Sequence, residues 1–96
     1  IRNLYDTQYA IRDTRYELIM RIGILGGTFN PPHIGHLVLA QTARDVLGLD
    51  RVLFIPTNTP PHKKTRLIDA KERFKMVKLA IKGCSYFQAL DWEIKR

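Results

Sequence analysis

The chain has 96 residues, 45% hydrophobic and 26% charged, which excludes collagen, low-complexity tracts and wholesale disorder and leaves room for one domain at most. Its formal charge of +7 is unevenly placed: residues 1–19 sum to zero, 20–59 to +1 and 60–96 to +6. A basic second half points to an anionic partner, whether nucleotide phosphate, nucleic acid or an acidic surface.

In chain order, residues 1–19 place Leu4, Ile11 and Leu18 seven apart, a weak helical stripe without a clear cap. From Met20 the texture changes. Met20-Arg21-Ile22-Gly23-Ile24-Leu25 is a short apolar run closed by Gly26-Gly27, which predicts a buried strand stopped by a turn. After Pro31-Pro32, the residues Leu37, Val38, Ala40, Val46 and Leu47 fall on one helical face, with Gly48 as the C-terminal cap. Arg51 to Pro56 predicts a second buried strand, followed by a polar, proline-broken loop from Thr57 to Ile68.

Asp69 and Glu72 fit a capping box for a second helix, whose apolar side is Phe74, Val77, Leu79, Ala80 and Ile81 and which ends at Gly83. Lys71, Lys75, Lys78 and Lys82 recur at helical spacing and read as its solvated face. Phe87 to Ile94 is the third strand, with Tyr86, Phe87 and Trp92 expected in the core. Strand, helix, strand, helix, strand is the order of a parallel α/β fold.

That order has a consequence. Right-handed crossovers marching in one direction place both helices on one face of the sheet. Parallel sheets are normally covered on both faces, so three strands and two helices leave an apolar face bare. Either residues 1–19 lie across it or the chain is part of something longer; the expectation is the second.

The lone Cys84 excludes an internal disulfide and favours a reducing compartment. No apolar run approaches the ~20 residues needed to cross a bilayer. With no basic-then-apolar leader at Ile1, the expectation is a soluble cytoplasmic protein.

Chemistry concentrates at the first strand-to-helix junction, Gly26-Gly27-Thr28-Phe29-Asn30-Pro31-Pro32-His33-Ile34-Gly35-His36. Two glycines would let the backbone turn sharply and approach a ligand. The helix start supplies unsatisfied amides and a partial positive charge, a ready anion site. His33 and His36 are three apart, so they project together from the first turn, and Gly35 between them removes a side chain. The same histidines could instead bind zinc with His62 or Cys84, but neither of those belongs to a paired ligand motif. The dinucleotide fingerprint fails, because Gly23, Gly26 and Gly27 are wrongly spaced, and no Walker lysine is present.

Taken whole, Gly26 to His36 resembles the His-x-Gly-His phosphate motif of the nucleotidylyltransferase superfamily, and its longer form is most similar to bacterial nicotinate-nucleotide adenylyltransferases. Pro60-Pro61-His62-Lys63-Lys64 resembles a second motif of that group. The likeness covers residues 20–96, expected to be the N-terminal part of such a domain, truncated at its C-terminus. Residues 1–19 stay an unassigned extension, helical or a misread start.

The resemblance implies a Rossmann-like parallel sheet, of which this chain holds the βαβαβ portion. It implies transfer of AMP from ATP to nicotinate mononucleotide, giving deamido-NAD and pyrophosphate, by in-line attack without a covalent intermediate. His33 and His36 would be the catalytic pair. Gly26, Gly27, Thr28, Phe29, Asn30, Gly35, His62 and Lys63 would contact ATP or its phosphates. Magnesium would arrive on ATP oxygens, with no protein metal ligand. The histidines are expected to be mostly neutral without ligand and to gain proton occupancy when ATP binds.

The adenine-reading and nicotinate-reading segments of that group are not found in residues 1–96, so the chain alone is expected to be inactive. Partners would be ATP and nicotinate mononucleotide, with no nucleic acid and no membrane. Rival readings are a sister enzyme such as phosphopantetheine adenylyltransferase or a cytidylyltransferase, a basic nucleic-acid-binding module, and a non-catalytic scaffold.

Overall fold

The structure is a computed structural model and describes residues 8–13, 18–58 and 67–95. Its elements are β1 (Gln8–Asp13), β2 (Leu18–Gly27), α1 (Ile34–Leu47), β3 (Arg51–Pro56), α2 (Ala70–Ala80) and β4 (Phe87–Ala89). They form one four-stranded sheet in the order β1-β2-β3-β4. The βαβαβ unit is present as expected: β2, β3 and β4 are parallel, each joined to the next by a helix.

The first departure is β1. Gln8–Asp13 pairs antiparallel with β2, Gln8 opposite Gly23 and Asp13 opposite Leu18, where the heptad spacing predicts a helical stripe. An unpaired strand edge exposes a row of backbone donors and acceptors, and a short antiparallel partner satisfies them. Tyr9 and Ile11, two apart, carry the strand signal that the weaker seven-residue spacing obscures.

Both helices cover one side of the sheet. Along β2, Gly23, Leu25 and Gly27 are buried while Ile22, Ile24 and Gly26 are half-buried, the alternation of a sheet with one face closed. The register aligns Gly23, Val52 and Phe87 in one row and Leu25, Phe54 and Ala89 in the next. Those rows meet Ala40 and Ala43 of α1 and Val77 of α2 in one hydrophobic core. The two small alanines let α1 lie close to the strands. On the other face Ile22, Ile24 and Leu53 are only half-buried, and the described part of residues 1–19 extends the sheet at its edge.

Helix ends agree in part with their sequence signals. Gly48 caps α1 in the left-handed region, at φ 64°, and its N–H donates to Arg44 O. Asp69 sits at the N-cap of α2, but its side chain makes no cap hydrogen bond. Glu72 instead stands at the surface 3.4 Å from Lys75 Nζ, so the expected capping box is not formed. The helix ends at Ala80, and a turn carries the chain to Gly83 at φ 88°.

The last strand is also shorter than expected. After Ala89, Leu90 N donates to Phe54 O at 2.9 Å, and the chain then turns with Ile94 and Lys95 N–H groups on Asp91 O. Trp92 is therefore 58% exposed rather than in the core. Phe87 does pack on the core, while Tyr86 half-buries its ring and donates its hydroxyl to Gln41 Oε1 at 2.7 Å. Among the described residues no helix is long and apolar enough to cross a membrane.

Candidate functional site

Parallel strands deliver their C-terminal ends to one edge of the sheet, and in such folds ligands bind in the crevice there. The β2–α1 junction lies at that edge beside the exit of β3, where Thr57 N donates to Gly27 O at 2.9 Å. Gly26 and Gly27 are still strand, in register with Ile55 and Pro56. The sharp turn belongs to the next residues: Phe29 is the only described non-glycine residue at positive φ, 49°, and Asn30–Pro31 is cis. The glycines thus end the strand, and the sharp turn expected at them falls in the residues just after.

The start of α1 is capped by its own histidines. His33 is the N-cap, and its Nδ1 accepts the Gly35 N–H at 3.1 Å. His36, at the third helical position, accepts the His33 N–H on its Nδ1 at 2.9 Å. The two rings lie 4.0 Å apart between centroids at 31°, and Phe29 backs His36 at 4.7 Å. This is a capping box in which imidazoles fill the places usually taken by Ser or Thr and by Glu.

The geometry fixes a tautomer. An Nδ1 that accepts a backbone N–H holds no proton, so each neutral ring carries its proton on Nε2. Two Nε2–H donors are thereby presented by one helical turn. His36 is 4% exposed, and burial, followed by the neighbouring charge of His33, lowers its pKa below 6.5. The neutral donor form is therefore the resident one for His36.

Gly35 has a role other than baring its amide, since that N–H already serves His33. A Cβ at this position would sit 2.8 Å from His33 Cε1 and 2.9 Å from Nδ1. The missing side chain makes room for the catalytic candidate's ring. Phe29 is 1% exposed and packs between His36 and Phe54, behind the histidine rather than open to a ligand. Asn30 Oδ1 accepts the Ile68 N–H at 2.8 Å, tying the turn to the approach of α2. His62 and Lys63 lie outside the described residues.

Among the described residues no group of three or more His, Cys, Asp or Glu side chains could hold a metal. With both Nδ1 atoms accepting N–H donors and both Nε2 atoms protonated, the pair suits phosphate oxygens better than a cation.

What sequence reasoning missed is the burial of Arg73, which is fully enclosed and donates to the carbonyls of Thr28, Thr57 and Ile68. The signal was present: Ala70, Arg73, Val77 and Ile81 fall on one helical stripe, so an arginine lies among core positions. The lysines of α2 are exposed, as their spacing predicts.

A one-sided α/β sheet with a His-x-Gly-His turn leading into its first crossover helix defines a Rossmann-like domain of nucleotidylyltransferase type. Consistent with this, the sequence model of the cytidylyltransferase-like family matches residues 24–96, and the chain belongs to that family. Among its relatives is a probable nicotinate-nucleotide adenylyltransferase of Oceanobacillus iheyensis, 52% identical over 75 residues, covering 78% of this chain and 39% of the relative. Another, of the same name, comes from Dehalococcoides mccartyi and is 53% identical over 78 residues, 80% of this chain and 38% of the relative. A third so named, from Desulfitobacterium hafniense, is 51% identical over 77 residues, 79% and 37%. The chain thus spans about two fifths of the length of the curated relatives it matches.

Proposed function

We propose that this chain carries the ATP-phosphate half of an adenylyltransferase that moves AMP from ATP to nicotinate mononucleotide. The observation that carries the reading is the imidazole capping box, which fixes two Nε2–H donors on one turn of helix at the sheet's ligand-binding edge. The names of the relatives support nicotinate mononucleotide as the acceptor.

In the reaction a phosphate oxygen of the mononucleotide attacks the α-phosphorus of ATP in line. A new P–O bond forms, the α–β bridging P–O bond breaks, and pyrophosphate leaves with the electron pair. The protein's contribution is alignment and stabilisation of charge that shifts toward the leaving group. His33 and His36 donate Nε2–H bonds to the phosphates. Gly26, Gly27 and Thr28 form the backbone wall of the pocket, with Phe29 and Asn30 fixing its shape and Gly35 giving His33 its room. His62 and Lys63 add donors from the segment after Thr57. Magnesium comes as part of the ATP substrate, held by phosphate oxygens and water. The setting is the cytoplasm, with small-molecule partners only.

Calorimetry with magnesium–ATP tests the phosphate role. Binding heat is expected with the chain and is expected to vanish in the His33→Ala, His36→Ala double variant; equal affinity in both would refute the reading. For the acceptor, a polypeptide of the relatives' length containing this chain is expected to release pyrophosphate with nicotinate mononucleotide. Release with phosphopantetheine instead would favour the sister enzyme.

A further inference from the structure

Arg73 heads the fully buried side chains by volume, and it bonds carbonyls on three separate stretches of chain. Its Nε–H donates to Ile68 O at 2.7 Å, and Nη1 donates to Thr28 O at 2.6 Å and to Thr57 O at 2.8 Å. Those carbonyls belong to the approach of α2, the turn after β2 and the exit of β3. A planar guanidinium with five donors in a fixed fork suits such a junction, whereas a lysine ammonium offers a point charge on a flexible stem.

The bond to Thr28 matters most for the site. The Thr28 carbonyl is part of the peptide plane from which Phe29 takes its φ of 49°, a conformation that L-residues other than Asn and Asp seldom adopt. The Phe29 ring, placed by that backbone, lies 4.7 Å from the His36 ring and 6.0 Å from Phe54. One carbonyl and one aromatic ring therefore connect the guanidinium to an imidazole of the phosphate site.

We infer that Arg73 is a positioning residue for His36: by holding the Thr28 carbonyl it keeps Phe29 in the left-handed conformation whose ring orients the imidazole. It contacts no reacting atom. The consequence for phosphate binding rests on the function proposed above, whereas the geometric claim stands independently of it.

The test uses NMR of the chain and titration with inorganic triphosphate. Phe29 imposes a ring-current shift on the His36 ring protons. In Arg73→Lys and Arg73→Met that shift is expected to collapse, and triphosphate to bind about tenfold more weakly, as for loss of one charge-assisted hydrogen bond. Val77→Ala, buried on the same helix, is expected to lower stability while leaving both readouts unchanged. Replacing the Thr28–Phe29 amide by an ester weakens the carbonyl as an acceptor with Arg73 in place, and is expected to reproduce the Arg73 phenotype even if the arginine variants do not fold. An unchanged His36 shift in a folded arginine variant, or in the ester, overturns the inference. If the unaltered chain bound no triphosphate, the phosphate reading would fall, and the His36 shift would still decide the positioning role.

Discussion

At the scale of single residues, the two histidines act on each other through the backbone before they act on any ligand. Protonating Nδ1 of His36 would turn an acceptor into a donor facing the His33 N–H, and the 2.9 Å bond would be lost. For His36, the geometry therefore argues for a ring that stays neutral, against the gain of proton occupancy expected from the sequence. Phosphate is expected to bind with His36 neutral, and the binding enthalpy at neutral pH should be the same in buffers of different ionisation enthalpy. A buffer-dependent enthalpy would show that a proton is taken up.

The lowered pKa of His36 also sets a pH dependence. As pH falls below 6.5 the unfolded chain takes up this proton first, so stability present above that value is lost progressively toward the folded-state pKa. Urea unfolding between about pH 7.5 and pH 5.5 should show the decline, and His36→Asn should lessen it. Gly35→Ala drives a methyl against the His33 ring, 2.8 Å from Cε1. Displacing that ring is expected to weaken triphosphate binding by about tenfold or more, for want of one well-placed donor.

At the scale of elements, the signals that succeeded are those read from local backbone chemistry. Gly48 ends α1 in the left-handed region because only a residue without Cβ does so freely, and this is legible from sequence alone. Nothing lies within 4 Å of a Cβ built there, so Gly48→Ala incurs conformational strain without a clash. It should lower stability by about 1 kcal/mol, readable as a fall in the thermal midpoint.

The signals that failed depended on partners. Asp69 and Glu72 have capping-box spacing, yet the Asp69 side chain makes no cap bond and Glu72 turns to Lys75. Gln8–Asp13 is a strand because β2 offers an edge to pair with, which its own composition only weakly announces. Trp92 is aromatic in a run that reads as strand, but the ladder stops at Ala89 and leaves it at the surface.

At the scale of the whole molecule, one sheet face with two helices supplies the core. Phe54 is 1% exposed at its centre, in contact with Phe29 at 6.0 Å and Phe87 at 5.1 Å. Phe54→Ala is expected to cost about 3–5 kcal/mol, a large share of the roughly 5–15 kcal/mol that holds a small domain folded. Circular dichroism should find the thermal midpoint of that variant far below that of the parent chain. The +6 charge of the second half, by contrast, includes the exposed lysines of α2, while Arg73 of the same half is fully buried.

By itself the sequence determined the alternation of strand and helix, the junction that carries the chemistry and the family to which it is similar. These are encoded in apolar periodicity and in residues adjacent along the chain, which act on one another whatever the rest does. Tertiary structure decided that Phe29 rather than the glycines makes the turn, that the imidazoles cap their own helix, and that Arg73 joins carbonyls from three stretches of chain. The arginine bridge depends on backbone groups brought together across as many as 45 residues, where no local preference can specify the partner.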